Sequence, residues 1–196
     1  MIGGDTMNYP NKKSTFQKVK NLANLGMHLE GDIDQTNQYY LNNDIAIIHK
    51  KPTPVQVVTV SYPARNKAKI TEAYYKTPST TDYNGIYKGR YIDFDAKETN
   101  SKTSIPFANM HKHQIDHLAS VAKHGGIGFL IINFKQFGEY FLLFIEDILP
   151  IWDAQFQPNG KKSMTYDYIK EKGHAISFGY SPRLDYLKVL DLVKGL

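Results

Sequence analysis

Residues 79–99 read STTDYNGIYKGRYIDFDAKET, and the second half of this stretch decides what kind of fold the chain can adopt. From Arg90 to Lys97, Ile92, Phe94 and Ala96 alternate with Asp93, Asp95 and Lys97, the period-two pattern of a strand with one apolar and one charged face. Such a strand needs a hydrophobic layer on one side and compensation for its acids on the other. The Asn84-Gly85 pair predicts a turn that carries Asp82 back towards Asp95. Carboxylates gathered within a few ångströms repel one another unless a proton or a cation intervenes, and an all-oxygen cluster suits a hard ion such as Mg2+. Lys97 shares the face of Asp95, so it reaches the same water or phosphate.

Before this stretch, residues 61–80 lack a long apolar face and interleave Arg65, Lys67, Lys69 and Lys76 with Tyr62, Tyr74 and Tyr75. Little of such a segment can enter a core, so it predicts either a protrusion or an ordinary surface loop followed by a strand. Asp44 to Lys50 and Val55 to Val60 are rich in β-branched residues and predict two strands joined by a KPTP turn. Leu25, Leu29, Ile33 and Tyr40 recur at close to the helical period with Asn37 in the same stripe, and Glu30 lies at its edge. Met1 to Lys20 is polar and carries Lys12, Lys13, Lys18 and Lys20, which fits either a frayed, solvated arm or a segment that orders on DNA phosphates.

After the acidic strand, His111 to His124 predicts a helix with Ile115, Leu118, Ala119 and Ala122 on its buried side. His113 and His117 stand four apart, but residue 114 is Gln, so the zinc-protease pattern H-E-x-x-H is absent. Gly125-Gly126 stops the helix, and IGFLIINF at 127–134 predicts a strongly apolar strand. Glu139 to Ile145 supplies the next strand. Short helices over 148–156 and 165–172, an edge strand over 174–178 and a closing helix over 183–193 complete a mixed α/β pattern too irregular for a doubly wound sheet or a barrel.

Composition narrows the function classes. At 196 residues with 41% hydrophobic content the chain can bury one substantial core. Twenty-four Lys and Arg against nineteen Asp and Glu give a formal charge of +5, which favours a polyanionic partner. The absence of cysteine excludes disulfides, zinc-thiolate sites and a cysteine nucleophile. No apolar run is long enough to cross a bilayer and no signal-peptide pattern opens the chain, so a soluble, cytoplasmic protein with no membrane association is expected.

Asp82 followed by Asp95-Ala96-Lys97 resembles the Asp…(Glu/Asp)-x-Lys core of restriction-endonuclease-like nucleases. GMHLEGDIDQTNQYY at 26–40, IAIIHKKPTPVQVV at 45–58, TTDYNGIYKGRYIDFDAKET at 80–99, HKHQIDHL at 111–118 and SPRLDYLKVLD at 181–191 together resemble the RecU family of Holliday-junction resolvases of Gram-positive bacteria. The resemblance runs from about Tyr9 to the C-terminus, with one departure: Asp95 stands where the family usually has Glu, one methylene shorter in reach. It implies a restriction-endonuclease-like α/β fold, a mixed sheet flanked by helices, with residues 21–196 as one nuclease domain and 61–78 as a stalk projecting into the centre of a four-way junction. It implies catalytic roles for Asp82, Asp95, Lys97, Glu30 and Thr81, and a Mg2+ site built from Asp82, Asp95, Glu30 and the Ala96 carbonyl. Thr81 either bonds a phosphate or orders the turn. The stalk residues Arg65, Lys67, Lys69, Lys76, Tyr62, Tyr74 and Tyr75 would contact DNA, and Gln114 would approach Lys97 or the DNA backbone. A homodimer, and contacts with the strand-exchange protein RecA and the branch-migration machinery, are implied as well.

From the residues alone, two other classes stay open. A junction-binding recombination factor without catalysis would keep the Lys and Tyr surface and need no coherent metal site. A glycosidase would use two carboxylates but would leave Lys97 and the basic arm without a role.

Overall fold

The computed structural model describes residues 29–64, 66–76 and 80–196. The predicted basic arm, Leu25 and Arg65 lie outside the described residues. The apolar stripe does form a helix, α1 (Leu29–Asn42), which buries Leu29, Ile33, Asn37 and Tyr40. Strands β1 (Ile47–Lys50), β4 (Tyr83–Tyr87), β5 (Arg90–Thr99), β7 (Ile127–Phe134), β8 (Glu139–Phe144) and β10 (His174–Ile176) form one six-stranded sheet in the order β1-β4-β5-β7-β8-β10. Only β5 and β7 run parallel, because α2 (Lys112–Lys123) lies in the connection between them; the other neighbours are antiparallel.

Helices cover both faces of this sheet, which is why every residue of β7 is buried. On one face α1 and α5 (Tyr186–Lys194) pack on Tyr83, Ile92, Phe94 and Phe129. The rings of Tyr83, Phe94 and Phe129 stack across three neighbouring strands at 4.9 and 4.8 Å, each such pair contributing about 0.5–1.5 kcal/mol beyond its buried area. On the other face α2 and α3 (Ile145–Ala154) close over Leu130, Ile132, Phe134 and Leu143. A two-stranded sheet of β6 (Ser104–Pro106) and β9 (Ser163–Thr165) and the short helix α4 (Tyr166–Lys172) extend that layer. Among the described residues no helix is long and apolar enough to cross a membrane.

Three expectations are corrected. Asn84-Gly85 is not a turn: both residues lie inside β4, opposite Asp93 and Ile92, and the reversal occurs at Lys88-Gly89, both at positive φ (47° and 74°). Gly85 is needed for a different reason, since a Cβ there would stand 2.1 Å from the Ile47 carbonyl oxygen of β1. The strand expected from Asp44 begins only at Ile47, because Asp44 itself takes a left-handed φ of 56° just after α1. The two β-branched segments also do not pair. β1 joins the main sheet, whereas β2 (Val55–Ser61) pairs with β3 (Lys69–Tyr75) in a separate antiparallel ribbon, nearly all of it exposed. The exposed ribbon therefore starts at Val55, six residues before the 61–78 segment that the resemblance implied as a stalk.

Candidate active site

β5 is the third strand of six, held by β4 on one side along its first half and by β7 on the other along most of its length. Ile92 and Phe94 enter the α1 core, so Asp93, Asp95 and Lys97 face α2, as the alternation predicted. The β4–β5 ladder ends at Tyr83 opposite Phe94. Asp82, one step further, is brought to Asp95 by that register, and its charge acts on Asp95 directly.

Asp95 is fully buried. Gln114, the third residue of α2, donates from Nε2 to Asp95 Oδ1 at 2.9 Å, and its Oε1 accepts from Lys97 Nζ at 3.2 Å. Lys97 Nζ also lies 2.5 Å from Asp95 Oδ2 as a contact ion pair, and beyond that pair the oxygen has no hydrogen-bond partner among the described residues. Burial pushes the Asp95 carboxyl up from 3.8 to about 7; Lys97 opposes the rise and Asp82 adds to it. A buried carboxylate oxygen without a hydrogen bond, beside a second carboxylate, is what a hard oxygen-seeking cation would neutralise. The carboxylates of Asp82 and Asp95 are oxygen donors of the kind that suits a hard ion such as Mg2+ rather than a soft metal.

The shift at Asp95 has a testable consequence. The folded chain retains a proton that the unfolded chain releases above about pH 4, so Asp95 contributes stability at low pH that is lost as pH rises through about 7. Metal-free protein is expected to lose thermal stability between about pH 4 and pH 7 and to level off above that, Asp95→Asn to flatten the loss, and Mg2+ to restore stability at the alkaline end only when Asp95 is present. Thermal melts across this range with chelator or Mg2+ check it; parallel profiles for the two proteins would remove Asp95 as the source.

Glu30 is not brought to this pair. It lies on the α1 side, where Lys50 Nζ holds it at 2.7 Å, and with Leu29, Asp34, Ala96 and Glu98 it lines a cleft of about 420 Å³ behind β5. Among the described residues no three His, Asp or Glu side chains converge as a ready metal cage. Thr81 is buried and gives its hydroxyl hydrogen to Asp93, which ties down the chain just before β4. Gln114 is likewise buried, and its side chain bonds Asp95 and Lys97 and accepts from the His111 main-chain N–H.

The sequence left Lys51, Asp93 and His117 without roles here. Asp93 is fully buried and receives Lys51 Nζ at 2.9 Å, the Tyr91 hydroxyl at 2.8 Å and the Thr81 hydroxyl, with His117 Nε2 at 2.9 Å. His117 therefore serves a carboxylate and forms no chelating pair with His113, whose ring stacks on His111 at 5.4 Å. The one legible signal was spacing: Gln114 and His117 are a helical turn apart, matching Asp95 and Asp93 on the strand.

In the ribbon, Ser61 pairs with Lys69 and Val55 with Tyr75. Tyr62, Lys67 and Lys69 thus belong to its tip, whereas Tyr74, Tyr75 and Lys76 lie at its base, about 20 Å away along β3. Adjacent strand residues point to opposite faces, so Tyr74 and Tyr75 cannot meet the same base; the Tyr74 hydroxyl is donated to Glu72 at 2.7 Å.

A family model described as Recombination protein U matches residues 24–192. A protein of Bacillus cereus named Holliday junction resolvase RecU is 51% identical over 197 residues, covering 96% of this chain and 98% of the relative. A Bacillus mycoides protein of the same name is also 51% identical, with the same coverage. Among solved structures, the 1.6 Å structure of Archaeoglobus fulgidus Hjc, a Holliday junction resolvase from an archaeal hyperthermophile, superposes with a TM-score of 0.39 at 6% identity, covering 69% of this chain and 86% of that one.

Proposed function

This chain belongs to the RecU family, and from that premise we propose that it is a Holliday-junction resolvase, a Mg2+-dependent endonuclease that hydrolyses DNA phosphodiesters at four-way junctions. The observation that carries the catalytic part is the buried Asp95 carboxylate, flanked by Asp82 and Lys97, with one oxygen free of hydrogen bonds.

Asp82, Asp95 and the Ala96 carbonyl would hold the cation, which when bound supplies Lewis acidity to the scissile phosphate and acidifies water. Lys97 places a fixed positive charge beside the same carboxylate, where it offsets charge that grows on the phosphoryl oxygens and orients the attacking water. Gln114 holds Asp95 and Lys97 in a fixed relation, so neither has to reorganise when substrate arrives. Glu30, tied to Lys50 at the α1 cleft, acts on the cation at most through water.

The ribbon is proposed as the junction-reading stalk. A two-stranded ribbon that leaves Val55, Val57, Val58 and Ile70 exposed is marginal alone, and a second copy of the chain together with DNA would cover it. Two copies also provide the two sites that symmetric cleavage needs. Replacing Lys67 and Lys69 with Ala is expected to weaken junction binding about tenfold at low salt, to lower the salt slope by about 2, and to change linear-duplex binding much less. Paired titrations over a salt series measure this; equal losses on both DNA shapes reject the stalk. The function as a whole is tested by Mg2+-dependent cleavage of four-way junctions against linear duplex, where binding without cleavage would favour a non-catalytic junction-binding factor.

A further inference from the structure

The polar network around Asp93 has no part in the reaction proposed above, yet it adjoins the metal-binding pair. A fully buried carboxylate is costly unless its charge is matched and its oxygens are bonded. Asp93 meets this condition by drawing groups from four segments: Lys51 from the connection after β1, Thr81 from the approach to β4, His117 from α2, and Tyr91 from its own strand.

Lys51 grips the chain at two neighbouring residues. Its main-chain N–H donates to the Asp82 carbonyl at 2.7 Å, and its Nζ donates to the Thr81 hydroxyl at 2.8 Å while pairing with Asp93. Thr81 in turn is bonded to Asp93. Asp82 stands one residue outside the β4–β5 ladder, so the strand pairing that fixes Tyr83 does not extend to it. What locates the Thr81-Asp82 dipeptide is this set of bonds, and both side chains in it, Lys51 and Thr81, are themselves bonded to Asp93. We propose that Asp93, acting through Lys51 and Thr81, is the positioning residue for the Asp82 carboxylate, with His117 bracing Asp93 from α2. Together with the Gln114 contact to Asp95, this makes one face of α2 the support for both metal-binding carboxylates.

The inference rests on the metal-site reading above, and it differs from a merely structural role for a buried ion pair in one measurable way. A structural pair affects stability alone, whereas a positioning residue sets the affinity of the site for its ion in protein that is still folded. Supporting groups behind metal ligands typically contribute about 10–100-fold in affinity. The probe is Mn2+ alone, titrated calorimetrically into the full chain without DNA, at a temperature well below each protein's melting point.

Asp93→Asn is expected to weaken Mn2+ binding at least about tenfold. Asp191→Asn is the control. It strips a carboxylate from Tyr87 and Lys88 at the opposite end of β4, so it is expected to lower the melting temperature and leave Mn2+ affinity unchanged. If Asp93→Asn does not fold, Asp93→Asn with Lys51→Met removes both charges of the pair together and carries the same expectation. An Asp93 variant that melts earlier but binds Mn2+ as tightly as wild type overturns the proposal. Wild type and Asp82→Asn that bind Mn2+ alike would instead overturn the metal-site reading, and this inference with it.

Discussion

Asp82→Asn is expected to lower the single-turnover rate of junction cleavage by about 10²–10³-fold, the loss that follows if several kcal/mol of Lewis-acid stabilisation depends on this ligand. Asn keeps the shape of the side chain and removes its charge. The backbone bond from Lys51 to the Asp82 carbonyl does not depend on the side chain, so the local chain path should persist. Losing the neighbouring charge also removes one of the influences that raise the Asp95 pKa, so Asp95 should ionise more readily in the variant. The deficit therefore lies in holding the ion. Raising Mg2+ should recover part of the rate, while junction affinity stays within about twofold because no phosphate contact is altered. A variant that cleaves at the wild-type rate at limiting Mg2+ would take Asp82 out of the site.

The strand that carries the site was readable because its two faces differ in chemistry. Ile92 and Phe94 against Asp93 and Asp95 leaves one orientation in which the apolar residues reach a core, and the structure adopts it. The hairpin beside it was misplaced for an equally physical reason. Asn84-Gly85 has turn chemistry, but Gly85 is present to let β1 approach, a demand made by a strand nearly forty residues earlier and invisible locally. Lys88-Gly89 turns the chain with weaker local preference. β2 misled in another way, since β-branched residues favour extended backbone whether or not a sheet covers them, and VQVVTVS does not reveal that both its faces stay exposed.

The site was legible in part. Alternation put Asp95 and Lys97 on one face, whereas Asp82 was joined to them through a turn at Asn84-Gly85 that does not form, and the roles given to these residues and to Gln114 came from family resemblance. The support around Asp93 was not readable, because Lys51, Thr81 and His117 converge on it from positions 42, 12 and 24 residues away along the chain. Sequence placed Glu30 at the edge of the apolar stripe, and it is exposed there. Its pairing with Lys50 reflects the packing of α1 beside β1, which no local pattern encodes.

Lys97→Ala should reduce the chemical step by about 10²-fold while junction affinity falls only a few-fold, since a fixed charge beside the reacting phosphate acts mainly on the transition state. The structure adds a second, separable effect. Lys97 is the cation that lowers the Asp95 pKa against burial, and without it that pKa should rise further above about 7. A larger share of Asp95 then carries a proton at neutral pH, and a protonated carboxyl holds a metal ion poorly. The rate deficit of Lys97→Ala should therefore be greatest near pH 7 and narrow as pH rises, with the ascending limb of the pH–rate profile displaced to alkaline values. Single-turnover cleavage at saturating protein and Mg2+ between about pH 6.5 and 9 separates the two effects. A parallel profile would leave only the loss of charge at the phosphate. A wild-type rate with weaker binding alone would place Lys97 among peripheral phosphate contacts, and the ion pair with Asp95 would then be structural.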